Sequence, residues 1–456
     1  MTTLAQTLGD FAAGFAAQDL PALALERAKM SLASTLASAS AGYGLESARI
    51  VRNLEKGAGG QPAASVWFDS TLLPVDRAAR VNAMASDAAA CDDSDMRSIA
   101  HIGTIATATG LAVGQSLQAG GRDILAAMVL GYEVAGRIDE ALTPGRMQRG
   151  FHGSVATVFA GAVTAGRLMR LDGAHMTQAI AIGATSAGGM AIAADTSCAR
   201  EYNAGTAAML GVQAALAARA GFQAEAAVME APRGFFAAFN GQAIDEVICG
   251  LGESWDIVTD MAIKLMPGAH PFHAIAEAAI TAAVEGNVQP EAVRRIVITA
   301  PQLKTWAQQA VQPHDLIGAA HSVPYFVASA VVDRRFEWEH FSPHKMQDPR
   351  IASLIARVVF DPNPPPLPDR FPHRHGGTVT IELSNGSTVR ATCKAPRGAS
   401  ACGIDWADLD AKYRHLAPTA GLSPAQVEDS LAMVHGFEAL ASPAPLAAVL
   451  RLVPCA

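Results

Sequence analysis

Groups that exchange protons and bind anions are concentrated between Asn82 and Gly103, in a region otherwise rich in alanine. This stretch carries four aspartates, one arginine and one histidine, namely Asp87, Asp92, Asp93, Asp95, Arg97 and His101. Imidazole exchanges protons near neutral pH, and a neighbouring carboxylate can fix its tautomer. The stretch therefore predicts acid–base chemistry. The structural alternative is that its aspartates only cap the helix that follows.

Three later segments also carry polar groups next to helices of small residues. Gly150–Ser154 opens such a helix, and the amides of its first turn would suit an anion. Asp195–Gly205 is a polar interruption, and Met261–His273 joins an extended segment to a helix. The candidate residues in these segments are His152, Arg200, Lys264, His270 and His273. The structural alternatives are that His152 only caps its own helix and that His273 only packs in the core.

Length and composition limit the class of protein that can hold these groups. A chain of 456 residues can form two or three domain-sized units, and 50% hydrophobic with only 6% aromatic content favours closely packed helices. The net charge of −8, without a basic stripe, argues against a nucleic-acid partner. Six scattered cysteines indicate thiols in a reducing compartment, and neither a secretory signal nor an apolar run of membrane-spanning length is present. We expect a soluble, cytoplasmic protein that does not bind membranes.

The periodicity of apolar residues predicts the elements that position the polar groups. Helices are expected in two segments of 4–56 and at Val75–Ala90, Ile105–Gln118, Ile124–Ala141, 154–170, Met176–Ile192 and Thr206–Ala220. After about Asp260 the composition changes, with a strand at Val293–Ala300 and a hairpin at Thr378–Cys393 that turns at Asn385-Gly386. A helix is predicted before the first strand, at Ala274–Glu285, another between the strand and the hairpin, at His321–Asp333, and further helices from Ile404 onwards.

The predicted fold class is mainly α with an α+β part. Residues 1–265 form the first part of an all-helical domain, and residues 401–456 are C-terminal helices that complete it. Residues 266–400 form a smaller, inserted α+β domain. No GxGxxG, Walker, HExxH or GxSxG motif is present, which disfavours nucleotide, zincin and serine-hydrolase chemistry.

In order along nearly the whole chain, these motifs resemble the MmgE/PrpD family, which includes 2-methylcitrate dehydratase, cis-aconitate decarboxylase and iminodisuccinate epimerase. The resemblance rests on Asn82…Asp92-Asp93…His101, Gly150-Phe-His152, Arg200…Gly205, Lys264…Pro267…His273, Ser322-Val-Pro-Tyr325, and the strand Thr378–Leu383 followed by Pro396-Arg-Gly398. It implies a helical domain plus an α+β domain, a homodimer, a small anionic carboxylate substrate, and neither a metal nor an organic cofactor.

The family's reactions move a proton on or off a carbon next to a carboxylate, so the resemblance implies bases, acids and cations. The implied catalytic residues are His101, His152, Lys264 and Tyr325, and the implied substrate-binding residues are Arg200, Asp92, Asp93, Asp87, His270 and His273. The first interpretation is a cofactor-independent lyase that dehydrates a small hydroxylated di- or tricarboxylate, as 2-methylcitrate dehydratase does. The alternatives are an epimerase or isomerase, a decarboxylase, and an inactive carboxylate-binding protein. For Tyr325, packing in the core is the structural alternative.

At four positions the chain differs from the usual family pattern. Asp87 stands where the family usually has His, Ala90 where it has Asp, and Arg200 where it commonly has Lys. In the decarboxylase a His follows the Lys-x-x-Pro segment, whereas here that position is Ala269, with His270 next to it. These differences predict an acid with one carboxylate fewer than 2-methylcitrate, or one that offers a hydroxyl or amine to Asp87.

Overall fold

The computed structural model describes residues 2–241, 244–303, 312–366 and 375–452. The chain divides into two compact units: unit 1 comprises Met1–Ile263 and Asp405–Ala456, and unit 2 comprises Lys264–Ile404. The predicted fold class, mainly α with an inserted α+β part, is confirmed. The predicted boundaries of the folding domains stay predictions. Within the described ranges, no helix is long and apolar enough to cross a membrane.

Unit 1 consists mainly of helices. In the N-terminal part they are α1 (Leu4–Gly14), α2 (Ala22–Tyr43), α3 (Glu46–Gly57), α4 (Val75–Ala88), α5 (Ile102–Leu117), α6 (Gly121–Leu142), α7 (Gly145–Gln148), α8 (Ser154–Leu168), α9 (Gly173–Ser186), α10 (Ala191–Thr196), α11 (Ala199–Arg219), α12 (Phe235–Phe239) and α13 (Asp256–Thr259). The C-terminal helices are α19 (Trp406–Leu416), α20 (Pro424–His435) and α21 (Ala444–Val449). They return to α2, where Lys412 Nζ donates a hydrogen bond of 2.7 Å to Ser34 Oγ.

Small residues let the helices of unit 1 approach closely. A Cβ atom on Gly211 of α11 would lie 2.7 Å from the Cα atom of Gly161 in α8, so a larger residue at either position would force the two helices apart. Alanine and glycine thus determine the helix spacing, as the composition predicts. Close spacing also brings the polar ends of different helices within hydrogen-bonding reach.

Two short antiparallel pairs of strands interrupt the helices of unit 1. Strand β1 (Ala64–Ser65) pairs with β2 (Leu72–Leu73), and β3 (Asp93–Asp95) pairs with β4 (Met261–Ile263). The second pair was not predicted, because Asp and Ser disfavour strands in isolation. Pairing with the apolar strand β4, far along the chain, supplies the hydrogen bonds that hold β3 extended. This pairing fixes the backbone of the acidic stretch.

The helices around Arg200 differ from their predicted bounds. The helix expected at Met176–Ile192 ends at Ser186, and Gly189, with φ of +133°, lies in the break before α10. Helix α11 begins at Ala199 instead of Thr206, so Arg200 stands in its first turn and not in a loop. The break before α10 is held by backbone contacts with the segment that opens α8, including the hydrogen bond of 3.1 Å from the His152 amide to the Gly189 carbonyl. Arg200 can stand within a helix because Asp87 of α4 satisfies its charge.

Unit 2 is built around a four-stranded sheet in the order β6-β5-β7-β8. Its strands are β5 (Val293–Thr299), β6 (Val358–Phe360), β7 (Gly377–Leu383) and β8 (Thr388–Cys393), and its helices are α14 (His273–Glu285), α15 (Leu316–Ala320), α16 (Val323–Asp333), α17 (Pro343–Met346) and α18 (Pro349–Ile355). Strand β5 is parallel to β6 and antiparallel to β7. The predicted strand, hairpin and both predicted helices are confirmed within one residue or two of their expected bounds. Ile296 and Ile381 of the sheet pack with Ile275 and Phe326 in the apolar core.

Candidate active site

His101 is the centre of a buried polar cluster in unit 1. It directly precedes α5, and its Nδ1 atom lies 2.5 Å from Asp87 Oδ1 and 2.9 Å from Asp92 Oδ2. Asp87 comes from the last turn of α4, and Asp92 from the turn that leads into β3. Since both neighbours are carboxylate oxygens, which accept hydrogen bonds, these partners assign a proton to Nδ1. Any exchange of a proton between His101 and a substrate therefore goes through Nε2.

Arg200 holds Asp87 from the other side. Its Nε atom donates to Asp87 Oδ2 at 3.0 Å, and its Nη2 atom donates to the backbone carbonyl of Asp87 at 2.6 Å. Burial by itself would raise the pKa of Asp87, but the positive charge of Arg200 and the contact with His101 lower it to about 2. Asp87 is therefore a carboxylate whose charge is balanced inside the protein, in contact with both Arg200 and His101.

Hydroxyl groups orient the two aspartates that follow. Thr104 Oγ1 donates to Asp92 Oδ2 at 2.9 Å, and Ser31 of α2 donates to Asp93 Oδ2. Gly103 allows this arrangement, because a Cβ atom there would collide with the Asp93 carboxylate and the Ser31 hydroxyl. Burial raises the pKa of Asp93 to about 6, against the effect of the Ser31 hydrogen bond. Asp93 is thus packed against Ser31 of α2 and Gly103 of α5.

His152 is the second imidazole of the cluster. Its ring is 6.3 Å from the ring of His101, centroid to centroid, at an interplanar angle of 72°. His152 Nδ1 accepts a hydrogen bond of 3.3 Å from the amide of Ser154, the first residue of α8. Removal from water lowers the pKa of His152 to about 3, with His101 and Arg146 adding positive charge nearby. The ring is therefore neutral near pH 7, and its remaining proton is on Nε2.

Arg97 forms a separate ionic cluster in the same stretch. Its guanidinium makes ion pairs with Asp95, Asp256, Asp260 and Glu140, at 3.4 Å for the first and 3.3 Å for Asp260. These partners join the loop before His101 to α6 and to the segment around α13. No local pattern predicts this cluster, because Glu140, Asp256 and Asp260 come from segments far from Arg97 in the chain. These ion pairs link the backbone just before His101 to two other parts of unit 1.

The remaining candidates belong to unit 2. Lys264 directly follows β4 and is buried, and His270 and His273 are buried with ring centroids 4.5 Å apart. Tyr325 lies in the apolar core, where its hydroxyl donates to the backbone carbonyl of His340. This bond favours a packing role for Tyr325. The functional assignments of these four residues stay predictions.

A metal ion is one further possible occupant of the His101 cluster. Asp87, Asp92 and His101 each offer one ligand atom, and these atoms lie within 4.8 Å of one another. The separations around His101 Nδ1 are those of hydrogen bonds, and Arg200 already supplies a positive charge to Asp87. A proton therefore suits this geometry better than a metal ion does.

Two residues of the cluster, Thr104 and Ser31, were not predicted from the sequence. Thr104 could have been found, since it lies one helical turn after His101 and could face the same side of α5. Ser31 gives no such signal, because its position within an alanine-rich helix looks like ordinary packing. Only the packing of α2 against the acidic stretch reveals its contact with Asp93.

Comparison with known proteins agrees with this organisation. The MmgE/PrpD N-terminal domain matches residues 6–246, and the MmgE/PrpD C-terminal domain matches residues 266–436. The chain therefore belongs to the MmgE/PrpD family, as the sequence resemblance predicts.

Curated relatives of this chain are cis-aconitate decarboxylases. The human protein is 25% identical over 441 residues, which cover 94% of this chain and 90% of the relative. The Aspergillus terreus protein is 26% identical over 481 residues, covering 98% and 94% respectively, and the mouse protein is 25% identical over 442 residues, covering 94% and 89%. Family membership and these relatives place the chain among lyase-type enzymes that act on small carboxylates.

Proposed function

We propose that this chain is a cofactor-independent lyase that dehydrates a small hydroxylated di- or tricarboxylate. The observation that carries the proposal is the Nδ1 atom of His101, held between two carboxylates. Such an arrangement fixes the tautomer of an imidazole and stabilises the imidazolium that forms when Nε2 takes a proton. A proton transfer at a carbon next to a carboxylate needs a base of this kind.

The proposed reaction uses His101 twice. Its Nε2 atom takes the proton from the carbon next to a substrate carboxylate, and the electron pair forms the new carbon–carbon double bond. The same proton then passes to the departing hydroxyl group, which leaves as water. His152, neutral with a proton on Nε2, donates a hydrogen bond to the negative charge that develops on the substrate. Lys264 is the proposed cation for a substrate carboxylate, and Arg200 acts through Asp87 by holding His101 in place.

Decarboxylation is the second candidate, and the activity printed for the relatives favours it. There the bond to one carboxylate breaks, carbon dioxide leaves, and protonated His101 supplies a proton to the resulting carbanion. An epimerase would instead remove and return a proton without net loss of any group. All three reactions share proton transfer at a carbon next to a carboxylate.

Proton NMR in deuterated water separates these reactions. Hydroxylated and unsaturated di- and tricarboxylates are incubated with the protein and with a His101→Gln variant as control. We expect a new alkene signal from a hydroxy acid with the parent protein only. Release of carbon dioxide with deuterium in the product would assign a decarboxylase, and deuterium uptake without conversion an epimerase. No change with any acid would overturn the proposal of an enzyme.

The same assay tests the need for a metal. We propose that chelation leaves turnover unchanged, because cationic side chains can stabilise the negative charge that a metal would otherwise stabilise. Loss of turnover after chelation, restored by one divalent ion, would contradict this.

The residues at positions 87 and 90 are proposed to set substrate choice. Ala90 has a φ of +53°, in the left-handed region that Asp adopts more readily than most residues, which makes an Asp87→His, Ala90→Asp double variant the natural test. Because Asp87 also holds His101, the double variant should lose much of its turnover, so the measurement is the ratio of kcat/KM for the two kinds of acid. We expect this ratio to favour smaller hydroxy- or amino-dicarboxylates in the parent, and to shift towards 2-methylcitrate in the double variant. A parent that already prefers 2-methylcitrate, without a shift in the variant, would contradict this proposal.

A homodimer is proposed on the basis of the family resemblance, and a location in the cytoplasm on the basis of the six scattered cysteines. Light scattering on the purified protein tests the oligomer, since a monomeric mass would exclude it. Fractionation of the source cells tests the location.

A further inference from the structure

A cavity of about 620 Å³ lies at one end of unit 1, away from the His101 cluster. It is lined by the ends of α5, α8 and α11 and by the start of α6. Its described lining residues include three arginines, Arg167, Arg170 and Arg219, and one carboxylate, Asp123. The lining therefore has an excess of positive charge in a chain whose net charge is −8.

The three arginines differ in how the protein uses them. Arg167 Nη2 donates to the backbone carbonyl of Phe15 at 2.6 Å, so this side chain is part of the cavity wall. Arg170 and Arg219 are exposed, and neither guanidinium makes an ion pair or hydrogen bond with any residue in the described part of the chain. Two guanidinium groups at this concave surface thus have no partner among the described residues.

Arginines near the C-terminal end of a helix can also serve its last carbonyl groups. At the C-terminal ends of α5 and α8, backbone amides already donate hydrogen bonds to such carbonyl groups. The amide of Ala119 donates to the carbonyl of Gly114 at 2.9 Å, and the amide of Leu171 donates to the carbonyl of Gly166 at 3.0 Å. Helix capping therefore does not account for Arg170.

We infer that this cavity binds a small polyanion, such as a phosphate ester or a polycarboxylate. A guanidinium presents paired N–H groups that match the oxygens of either group, and two of them can neutralise two negative charges. The site is distinct from the proposed active site, since His101 and His152 stand just before the N-terminal ends of α5 and α8. The cavity lies at the C-terminal ends of the same helices, about 23 Å away along their axes.

Isothermal titration calorimetry tests the inference, with pyrophosphate and 1,2,3-propanetricarboxylate as separate probes. The protein samples are the parent, an Arg170→Gln, Arg219→Gln double variant, and an Arg233→Gln control. Arg233 is exposed in unit 1, lies outside the cavity lining, and is likewise unpaired among the described residues. A melting curve for each variant verifies that it is folded.

We expect at least one probe to bind the parent, and the double variant to weaken its binding about tenfold or more, the scale of charge-assisted hydrogen bonds. The control should bind as the parent does. Because a tricarboxylate also suits the proposed active site, only binding that the double variant weakens is assigned to the cavity. Such weakening for pyrophosphate alone would identify a phosphate ligand, for the tricarboxylate alone a carboxylate ligand, and either supports the site. Equal binding by the parent and the double variant, or no binding to the parent at millimolar concentrations, would overturn the inference.

Discussion

Two largely buried ionic clusters lie in the same stretch of unit 1. They use similar residue types for different purposes. In one, His101 contacts Asp87 and Asp92, and Arg200 balances Asp87. In the other, Arg97 faces four carboxylates, of which Asp95 is two residues away and the other three come from distant segments. Apart from the partly exposed Glu140, the carboxylates of both clusters are buried, so burial alone does not distinguish them.

The difference lies in the group at the centre of each cluster. A guanidinium keeps its charge at any physiological pH, so Arg97 can only act as a fixed cross-link between its carboxylates. An imidazole can gain or lose a proton, and the carboxylates around His101 respond to that change. The four carboxylates around Arg97 exceed its charge, and burial together with Glu133 raises the pKa of Asp256 well above its usual value. A cluster of polar residues therefore indicates chemistry when its central group can change its charge.

The sharpest test of this comparison is the removal of the imidazole. We expect His101→Gln to lower kcat by about a hundred- to ten-thousandfold, since the proton-transfer atom Nε2 is lost. Steady-state kinetics on the best substrate gives the measurement. The matched control is His175→Gln, an exposed histidine bound to Asp172, which should leave kcat unchanged. Turnover of the His101 variant within a few-fold of the parent would show that the cluster is structural.

The opposite result is expected for the Arg97 cluster. Arg97→Met leaves its carboxylates without their cation and should lower the free energy of unfolding by about 3–5 kcal/mol. Urea denaturation measures this loss. Arg414→Met, which breaks an exposed ion pair of 2.7 Å with Glu428, is the control and should leave the free energy of unfolding nearly unchanged. A loss no larger than that of the control would mean that the cluster does not hold the loop.

Asp93 should give the His101 cluster a signature in the pH dependence of stability. Its pKa is raised in the folded protein, from 3.8 to about 6, so the folded state holds more protons between these values. Stability should therefore fall as the pH rises from about 4 to about 6, by at most about 1.4 kcal/mol per pH unit, and level off above.

An Asp93→Asn variant should lack this contribution, as measured by urea denaturation at a series of pH values. Asp172→Asn, at an exposed helix cap, should keep it. The same slope in the parent and in the Asp93 variant would place the titrating group elsewhere.

The smallest effect is expected from the hydroxyl that orients Asp92. Thr104→Val removes a hydrogen bond of 2.9 Å to Oδ2 with little change in volume, and should lower kcat/KM about three- to tenfold. The control is Thr177→Val, whose hydroxyl bonds only to a backbone carbonyl of its own helix. An unchanged kcat/KM in the Thr104 variant would mean that His101 is oriented by Asp87 alone.

Sequence patterns predicted the elements of unit 2 well, because the strand at Val293 and the hairpin around Asn385-Gly386 follow local rules of alternation and turn chemistry. In unit 1 they predicted the helices but not β3, which depends on pairing with β4 and runs against its own propensity. The position of Arg200 was misjudged for a related reason. Its charge suggested a loop, whereas Asp87 satisfies that charge within the helical unit.

For the candidate site, too, sequence patterns predicted which residues are unusual but not all of their contacts. The stretch from Asp87 to His101 stood out because its residue types are unusual among alanines, and the structure brings His101 together with Asp87 and Asp92. The contribution of Ser31 could not be predicted, since nothing in α2 distinguishes a serine that bonds to Asp93 from one that only packs. Pairings between distant segments are set by tertiary packing, which no local pattern encodes.

The lack of a side chain at Gly103 limits how this site can be altered and gives a pattern by which it can be recognised. It carries no functional group, yet any side chain there would occupy the volume of the Asp93 carboxylate. Gly14 and Gly44, in contrast, have open space around the position of a Cβ atom. In a saturation library we expect position 103 to recover only glycine, while positions 14 and 44 accept many residues. A histidine followed two residues later by a glycine, as His101 is by Gly103, would then identify the site in related sequences as strongly as the histidine does.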